Sequence, residues 1–471
     1  MQARKNNPPS RTKNQSRLLL TFYGDDFTGS TDALEQLSLA GIRTALFIEP
    51  PTTEKLRRFP DLQAVGVAGM TRSLVPAAME KVLRPALEQL KALGARHVHY
   101  KVCSTFDSSP TLGSIGRVID LAAEIFSNPF VPLLVAAPAL GRYTVFGTHF
   151  ARFGIGSAGD VHRLDRHPSI SRHPVTPMTE ADLRRHLSRQ TRKNIALFDI
   201  VKIGLPEKQA RAELQKLLAS EPGVILFDAL YVEHLPRIGR LLDAHASAGQ
   251  PLFSVGSSGV ETALAAEFKS VAGRSGSKVT LKSQLTPQCP VGGVVGSLLV
   301  GSGSCSPVTA AQIAWALKKG FAEVAVNVPA LLAKNTADRT SDHAVRDAVK
   351  ALKAGRSVIM HTTRHGADHA ISRKLKTRTA QVLGAALGRM LRGVLAQTIP
   401  GRLCLAGGDT SSHAARALGI EAVEMIGPLT PGAPLCRAHA PGSPADGLAV
   451  VFKGGQVGAE NYFGAVRGNK I

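Results

Sequence analysis

The chain has 471 residues, 44% of them hydrophobic and 5% aromatic, and 57 Lys+Arg against 35 Asp+Glu give a formal net charge of +22. This length and apolar content exclude wholesale disorder and leave room for two domains. The positive excess points to anionic partners, but few aromatics and no zinc-finger spacing or aromatic-basic repeat argue against nucleic acid.

Residues 1–16 are polar and basic with two prolines, and read as a disordered arm. Leu18–Tyr23 is an apolar run of strand length, and it enters Gly24-Asp25-Asp26-Phe27-Thr28-Gly29-Ser30. Ala33, Leu34, Leu37 and Ala40 share one helical face, with Ser30 or Thr31 as cap and Gly41 as stop, before a strand at Ile42–Ile48. This is a βαβ unit, and ligands of such sheets sit at the carboxyl ends of the strands, where Asp25 and Asp26 fall. Two readings of the pair stand: a turn with an N-cap, or a general base at a pocket mouth.

Leu62–Ala68 reads as a strand with Met70–Ser73 as exit loop, and Pro76–Leu93 as a helix. Val98–Val102 is a strand leading into the hydroxyl-rich loop Cys103–Pro110; Lys101, Ser104 and Thr105 there could grip a carboxylate or phosphate. Gly113–Ile125 resumes as helix. Val131–Ala137 is a strand entering a loop that carries Arg142. Residues 151–180 lack periodicity and are rich in His, Arg, Gly and Pro, which reads as a basic flap over an anionic substrate; Thr179 and Asp182 then start a capped helix, Glu180–Gln190. Strands Ile195–Val201, Val224–Phe227 and Pro251–Val255 alternate with helices Lys208–Ala219, Glu233–Ala248 and Glu261–Phe268, the pattern of an α/β protein with a largely parallel sheet. A composition shift over residues 270–292 marks a domain boundary.

The second domain opens with strand Ser297–Val300, the loop Gly301-Ser302-Gly303-Ser304-Cys305-Ser306-Pro307 and helix Ala310–Lys319. A glycine-serine loop feeding a helix N-terminus is an anion cradle. Strand Arg402–Ala406 repeats the design with Gly407-Gly408-Asp409-Thr410-Ser411-Ser412 and helix His413–Leu418, and Asp409 inside this loop could hold Mg²⁺ or a ribose hydroxyl. Lys453-Gly454-Gly455 follows strand Leu448–Phe452. Three such loops in one domain point to a nucleotide, although the P-loop, GxGxxG, GxSxG and HExxH signatures are all missing. Five isolated cysteines (Cys103, Cys289, Cys305, Cys404, Cys436) with no CxxC pair exclude a disulfide framework and fit a reducing cytoplasm. No apolar run reaches the ~18 residues of a membrane span.

Four motifs together carry a resemblance: Gly24-Asp25-Asp26-Phe27-Thr28-Gly29, His173-Pro174-Val175-Thr176-Pro177-Met178-Thr179-Glu180, Ser302-Gly303-Ser304-Cys305-Ser306-Pro307, and Gly407-Gly408-Asp409-Thr410-Ser411 with Lys453-Gly454-Gly455. In this order they resemble the four-carbon acid sugar kinase family (threonate, erythronate and oxo-tetronate kinases). The resemblance implies two α/β domains with largely parallel sheets and the active site in the cleft between them. It implies a sugar-acid domain over residues 17–270, a linker at 271–292 and an ATP domain over 293–471. It also implies transfer of the γ-phosphoryl group of ATP, with Mg²⁺, to a hydroxyl of a short sugar acid. In this reading Asp25 or Asp26 takes the hydroxyl proton, and Thr28, Lys101, Ser104, Thr105 and Arg142 hold the acid. Ser302, Ser304, Gly407, Gly408, Asp409, Thr410 and Gly454 hold ATP, with Asp409 on the metal. A homodimer is compatible with it. One segment departs from the family pattern Lys-x-Asp-Ser-Thr-x-Arg-Gly: Lys101-Val102-Cys103-Ser104-Thr105-Phe106-Asp107 puts a cysteine for the acid and lacks the arginine. Two rival readings follow from that departure and from the acid pair. One is a ligand-binding regulator of the same shape, the other an ATP-independent isomerase or lyase using Asp25 as base.

Overall fold

The computed structural model describes residues 18–153, 159–173, 176–274, 296–333, 335–363 and 377–468. The expected linker, most of the Pro174-Val175 motif step and the tip of the basic flap lie largely outside them.

In the first half the sheet strands are β1 (Leu20–Gly24), β2 (Thr44–Phe47), β3 (Ala64–Ala68), β4 (His97–Lys101) and β5 (Val131–Leu134). A small antiparallel sheet follows from β6 (Arg142–Val145), β7 (Thr148–Arg152) and β8 (Val161–Arg163). The main sheet resumes with β9 (Ile195–Phe198), β10 (Val224–Phe227) and β11 (Leu252–Gly256). The second half supplies β12 (Leu298–Ser302), β13 (Ala322–Ala325), β14 (Val358–His361), β15 (Arg402–Ala406), β16 (Ala422–Thr430), β17 (Ala433–His439) and β18 (Ala449–Lys453). All but the small three form one sheet of fifteen strands in the order β13-β14-β12-β15-β18-β17-β16-β2-β3-β1-β4-β11-β5-β10-β9.

Every pairing within β13-β14-β12-β15-β18 and within β2-β3-β1-β4-β11-β5-β10-β9 is parallel. The seam between the two blocks is antiparallel: β18 to β17, β17 to β16, and β16 to β2 with Ala422 opposite Phe47. The two α/β halves expected from the sequence therefore share one sheet, stitched by the β16–β17 hairpin. Apart from β9 and β13 at the two ends of the sheet, the parallel strands are buried along their whole length because helices cover both faces, and β4 buries His97, His99 and Lys101 among them. Phe22, Phe27, Leu34, Leu299 and Phe452 are all fully buried in one core that runs under the seam.

Several boundaries differ from expectation for local reasons. The first helix, α1 (Phe27–Leu39), starts earlier than Ser30: Asp26 is its N-cap and accepts from the Gly29 N–H at 2.7 Å. The helix expected from His413 begins at Gly408, so Gly408, Asp409 and Thr410 form its first turn instead of a loop before it. The helix near 180–190 shrinks to Leu183–Leu187, capped by Asp182 alone. The strand Ile195–Val201 stops at Phe198 because Asp199 caps a short helix, Ile200–Gly204. The region 151–180 was expected to be irregular, yet it contributes β8, paired to β7 from Arg152↔Val161 to Phe150↔Arg163. Among the described residues no helix is long and apolar enough to cross a membrane.

Candidate active site

The carboxyl ends of β1, β3 and β4 meet at Asp25 and Asp26. Asp25 follows β1 directly and its N–H donates to the Lys101 carbonyl at 2.9 Å. Arg72, in the turn after β3, donates Nε and Nη2 to the two carboxylate oxygens of Asp25 (3.0 and 2.7 Å) and Nη1 to Asp26 Oδ2 (2.9 Å). One guanidinium thus holds both acids, a fork geometry that lysine cannot supply. Burial pushes the Asp25 carboxyl above its ordinary range, with the Arg72 charge opposing. Asp26 is less enclosed and also accepts from Thr28 Oγ1 at 3.0 Å. Its place at the N-terminus of α1 sets a carboxylate against the positive end of the helix.

Arg72 escaped the reading of the sequence. Its only signal there is position: an arginine just past the end of the strand that neighbours β1.

Lys101 lies 1% exposed, below the first turn of α1. Its Nζ donates to the Val102 carbonyl at 3.0 Å and sits 3.6 Å from Asp32 Oδ2. Neither a surface lysine nor an open grip on substrate describes this; its charge acts from behind the acid pair. His99 and Glu261, 3.6 Å apart, extend the same buried cluster, where burial carries Glu261 up to about 8 and His99 down to about 3.

The loop after β4 closes one side. Cys103 Sγ is 2.9 Å from Thr105 Oγ1, which donates to Asp107 Oδ1 at 3.0 Å, so a carboxylate re-enters this loop four residues after the cysteine. Ser104 and Thr105 are buried, and the Ser104 carbonyl is 2.9 Å from His149 Nε2. Cys103 lies within electrostatic reach of both Arg72 and Arg142, and burial, with Asp107 adding, pushes its thiol up to about 11. Arg142 is buried with Nη1 donating to the carbonyls of Leu140, Gly141 and Arg152, and it has no carboxylate partner among the described residues. Burial lowers its pKa from the ordinary arginine value. A guanidinium so placed invites an anion.

The second half faces the acid pair from across the seam. A Cβ at Gly408 would lie 3.8 Å from Asp26 Oδ2 and 3.9 Å from Thr28 Oγ1, and one at Gly454 3.8 Å from Thr28 Oγ1. Gly407 has φ +116, open to glycine alone, and its N–H donates to the Lys453 carbonyl at 2.8 Å. Ser302 Oγ is buried without a hydrogen-bond partner among the described residues, whereas Ser304 Oγ donates to Thr309 Oγ1 at 3.0 Å. A Cβ at Gly303 would meet Thr410 Oγ1 at 2.4 Å, so the loops after β12 and β15 touch. Of the residues expected from the sequence, Asp25, Asp26, Thr28, Gly407, Gly408 and Gly454 converge on one space. Cys103, beside Ser104 and Thr105, interacts electrostatically with Arg72 and Asp26 on one side and Arg142 on the other, and Lys101 lies beneath. Asp409 contributes its backbone to the first helical turn.

The chain matches two family profiles, a sugar-binding N-terminal domain over residues 20–264 and a nucleotide-binding C-terminal domain over residues 299–463. It is 41% identical over 464 residues to a 3-oxo-isoapionate kinase of Paraburkholderia graminis, covering 96% of this chain and 95% of that one. It is 31% identical over 454 residues to a 3-oxo-tetronate kinase of Methylobacterium radiotolerans, covering 95% and 98%. Among solved structures, a Salmonella typhimurium LT2 protein described provisionally as a tRNA synthase superposes with a TM-score of 0.74 at 25% identity, over 95% of this chain and 98% of that one. With both profiles in place and full-length similarity to sugar-acid kinases, the chain belongs to the four-carbon acid sugar kinase family.

Proposed function

We propose that this protein is an ATP-dependent kinase that phosphorylates a hydroxyl of a small sugar acid bearing a 3-oxo group. The observation that carries this reading is the meeting of the two halves: the Arg72-held acid pair faces the glycine turns at Gly408 and Gly454 across less than 4 Å of would-be Cβ contact. Both relatives have names that describe kinases of 3-oxo acids, which is the support for the substrate class.

The roles follow from the geometry. Asp26, uncovered on the side of the second half, orients the acceptor hydroxyl and takes its proton. Arg72 neutralises the two neighbouring carboxylates and holds them fixed. Arg142, Ser104 and Thr105 receive the substrate carboxylate and hydroxyls, while Lys101 offsets negative charge from below. The N-terminal turn of the helix Gly408–Ala417 and the loops at Ser302–Ser304 and Gly454 receive the phosphates, the helix turn with its N-terminal N–H groups. The reaction asks for positioning and charge neutralisation more than for covalent chemistry by the protein.

Among the described residues no group of three or more His, Cys, Asp or Glu side chains gathers, and Mg²⁺ is usually held by one or two carboxylates together with substrate phosphates and water. Asp409, whose side chain lies outside the described residues, is the residue that the sequence offers to hold it, and the ion would neutralise charge on the phosphates.

The test is ADP release by the full chain with ATP and a panel of 3-oxo sugar acids, 3-oxo-tetronates and 3-oxo-isoapionate included. Turnover with one of them is expected. Tight ATP binding with no ADP from any acid would make the protein a regulator, and product formed without ATP would make it an isomerase or lyase.

A further inference from the structure

Lys453 ends β18 and is fully buried, yet the roles above leave it unused. Its Nζ donates to Thr309 Oγ1 at 2.9 Å, to the Gly454 carbonyl at 2.9 Å and to the Gly455 carbonyl at 3.3 Å. Thr309 Oγ1 in turn donates to the Gly455 carbonyl at 3.0 Å and accepts from Ser304 Oγ at 3.0 Å. The Lys453 carbonyl accepts from the Gly407 N–H at 2.8 Å. One residue therefore touches all three glycine loops: Ser302–Ser306 through Thr309, Gly407–Gly408 through its main chain, and Gly454–Gly455 directly. The loops are packed tightly around it, since a Cβ at Gly455 would stand 3.1 Å from Ser306 Cβ and 3.2 Å from Ser304 Oγ.

Its charge is a second, separate observation. Every oxygen it donates to is uncharged, and among the described residues it forms no ion pair. The other groups packed against it are the Tyr462 ring, 5.6 Å from Nζ, and Cys404 of the adjacent strand β15. Burial raises both of these above their ordinary values, the Cys404 thiol to about 12, so both are neutral near pH 8. A buried ammonium without an anion is costly.

We propose that Lys453 is the positioning residue of the nucleotide site: it ties the three glycine loops into one cradle, and the phosphates of a bound nucleotide complete its charge balance. This rests on the reading of the second half as the ATP site. Burial brings the Lys453 amine down to about 8, with the Cys404 thiolate that would oppose this absent at neutral pH. An anion above the cradle raises it again. Below pH 8 the lysine is charged with or without nucleotide and affinity is flat. As pH rises through about 8 and beyond, binding must take up a proton and affinity falls, about tenfold for each unit by which the nucleotide raises the pKa.

The experiment is calorimetric titration of the full chain with ADP at pH 7.5 and pH 9.5, each in two buffers of different ionisation enthalpy, on wild type and Lys453→Met. Wild type is expected to lose about tenfold in affinity between the two pH values and to take up a fraction of a proton at the higher one. Lys453→Met is expected to bind weakly, with no pH dependence and no proton uptake. Proton uptake by wild type needs no variant, so a misfolded Lys453→Met leaves the proposal exposed to refutation. Binding by wild type without proton uptake, or the same pH dependence in a folded Lys453→Met, overturns the proposal while the nucleotide site stands. A wild type that binds no ADP at either pH overturns the site reading and the proposal together.

Discussion

Asp25 and Asp26 are adjacent in sequence and separate in environment. Asp25 is clamped on both oxygens by Arg72, whereas Asp26 shares one oxygen with Arg72 and Thr28 and caps α1 with the other. Asp26→Asn keeps the cap, because asparagine caps as well as aspartate, but cannot accept a proton. The turnover rate is expected to drop by about 10²–10⁴-fold with ADP affinity unchanged. Asp25→Asn should lose less in rate and more in melting temperature. A wild-type rate in both variants, assayed beside their melting curves, would remove the acid pair from the chemistry. Arg72→Met leaves the two carboxylates together without their shared cation, and should cost about 3 kcal/mol in urea unfolding, the low end for a partly exposed cation. Arg72→Lys should recover only part of that, since an ammonium cannot make the three-bond fork.

At the scale of the element, the start of the helix Gly408–Ala417 decides nucleotide access. The Cβ of a residue at position 408 would find ordinary contact distances in the free protein. Gly408→Val should therefore fold, since valine is no worse a helix former than glycine, and fail to bind ADP because the side chain occupies the phosphate approach. Unchanged ADP affinity would show that phosphate sits elsewhere. Gly303→Ala is the contrasting change: its Cβ would collide with Thr410 Oγ1, so it should lower the melting temperature by prying two loops apart. The small sheet β6–β8 belongs at this scale too. The flap reading gives an expectation for hydrogen exchange: residues 159–172 should gain protection when a sugar acid binds. Protection already at its limit in the free protein would make the segment purely structural.

Across the whole molecule the two halves are one sheet, and polar groups lock the seam. Arg416 of the cradle helix donates to the carbonyls of Ile48 and Ala68, at the ends of β2 and β3, at 3.0 and 3.4 Å. Glu35 of α1 accepts from the Gly432 N–H in the β16–β17 turn at 2.6 Å. Burial carries the Glu35 carboxyl up to about 7 from an ordinary 4.5, the Gly432 bond opposing. The folded state thus holds its proton more tightly than the unfolded state. The contribution of Glu35 is fully present below pH 4.5 and is lost as pH rises through about 7, a loss on the order of 3 kcal/mol. Urea melts of wild type and Glu35→Gln at pH 4.5 and 7.5 should show wild type losing that much relative to the variant. Parallel changes would mean that Glu35 does not feel the seam.

The sequence by itself determined what short-range physics controls. Apolar runs of strand length and helical spacing fixed the alternation of strands and helices, and Gly24–Ser30, Gly407–Gly408 and Gly454–Gly455 announced turns at strand ends where parallel sheets bind ligands. Asp25, Asp26 and the glycine loops were legible because their chemistry depends on a few adjacent residues. Contacts across 47 residues, as between Asp25 and Arg72, leave no local trace, and neither does the burial that turns Lys101 from a grip into a support. The hairpin β16–β17 reads like any other pair of strands; its pairing with β2, and so the fusion of two sheets into one, depends on which edges lie side by side after both halves fold. Only the tertiary structure could bring the acid pair of one half to the glycine turns of the other, because the free energy that joins them comes from burying the seam and not from any segment of the chain.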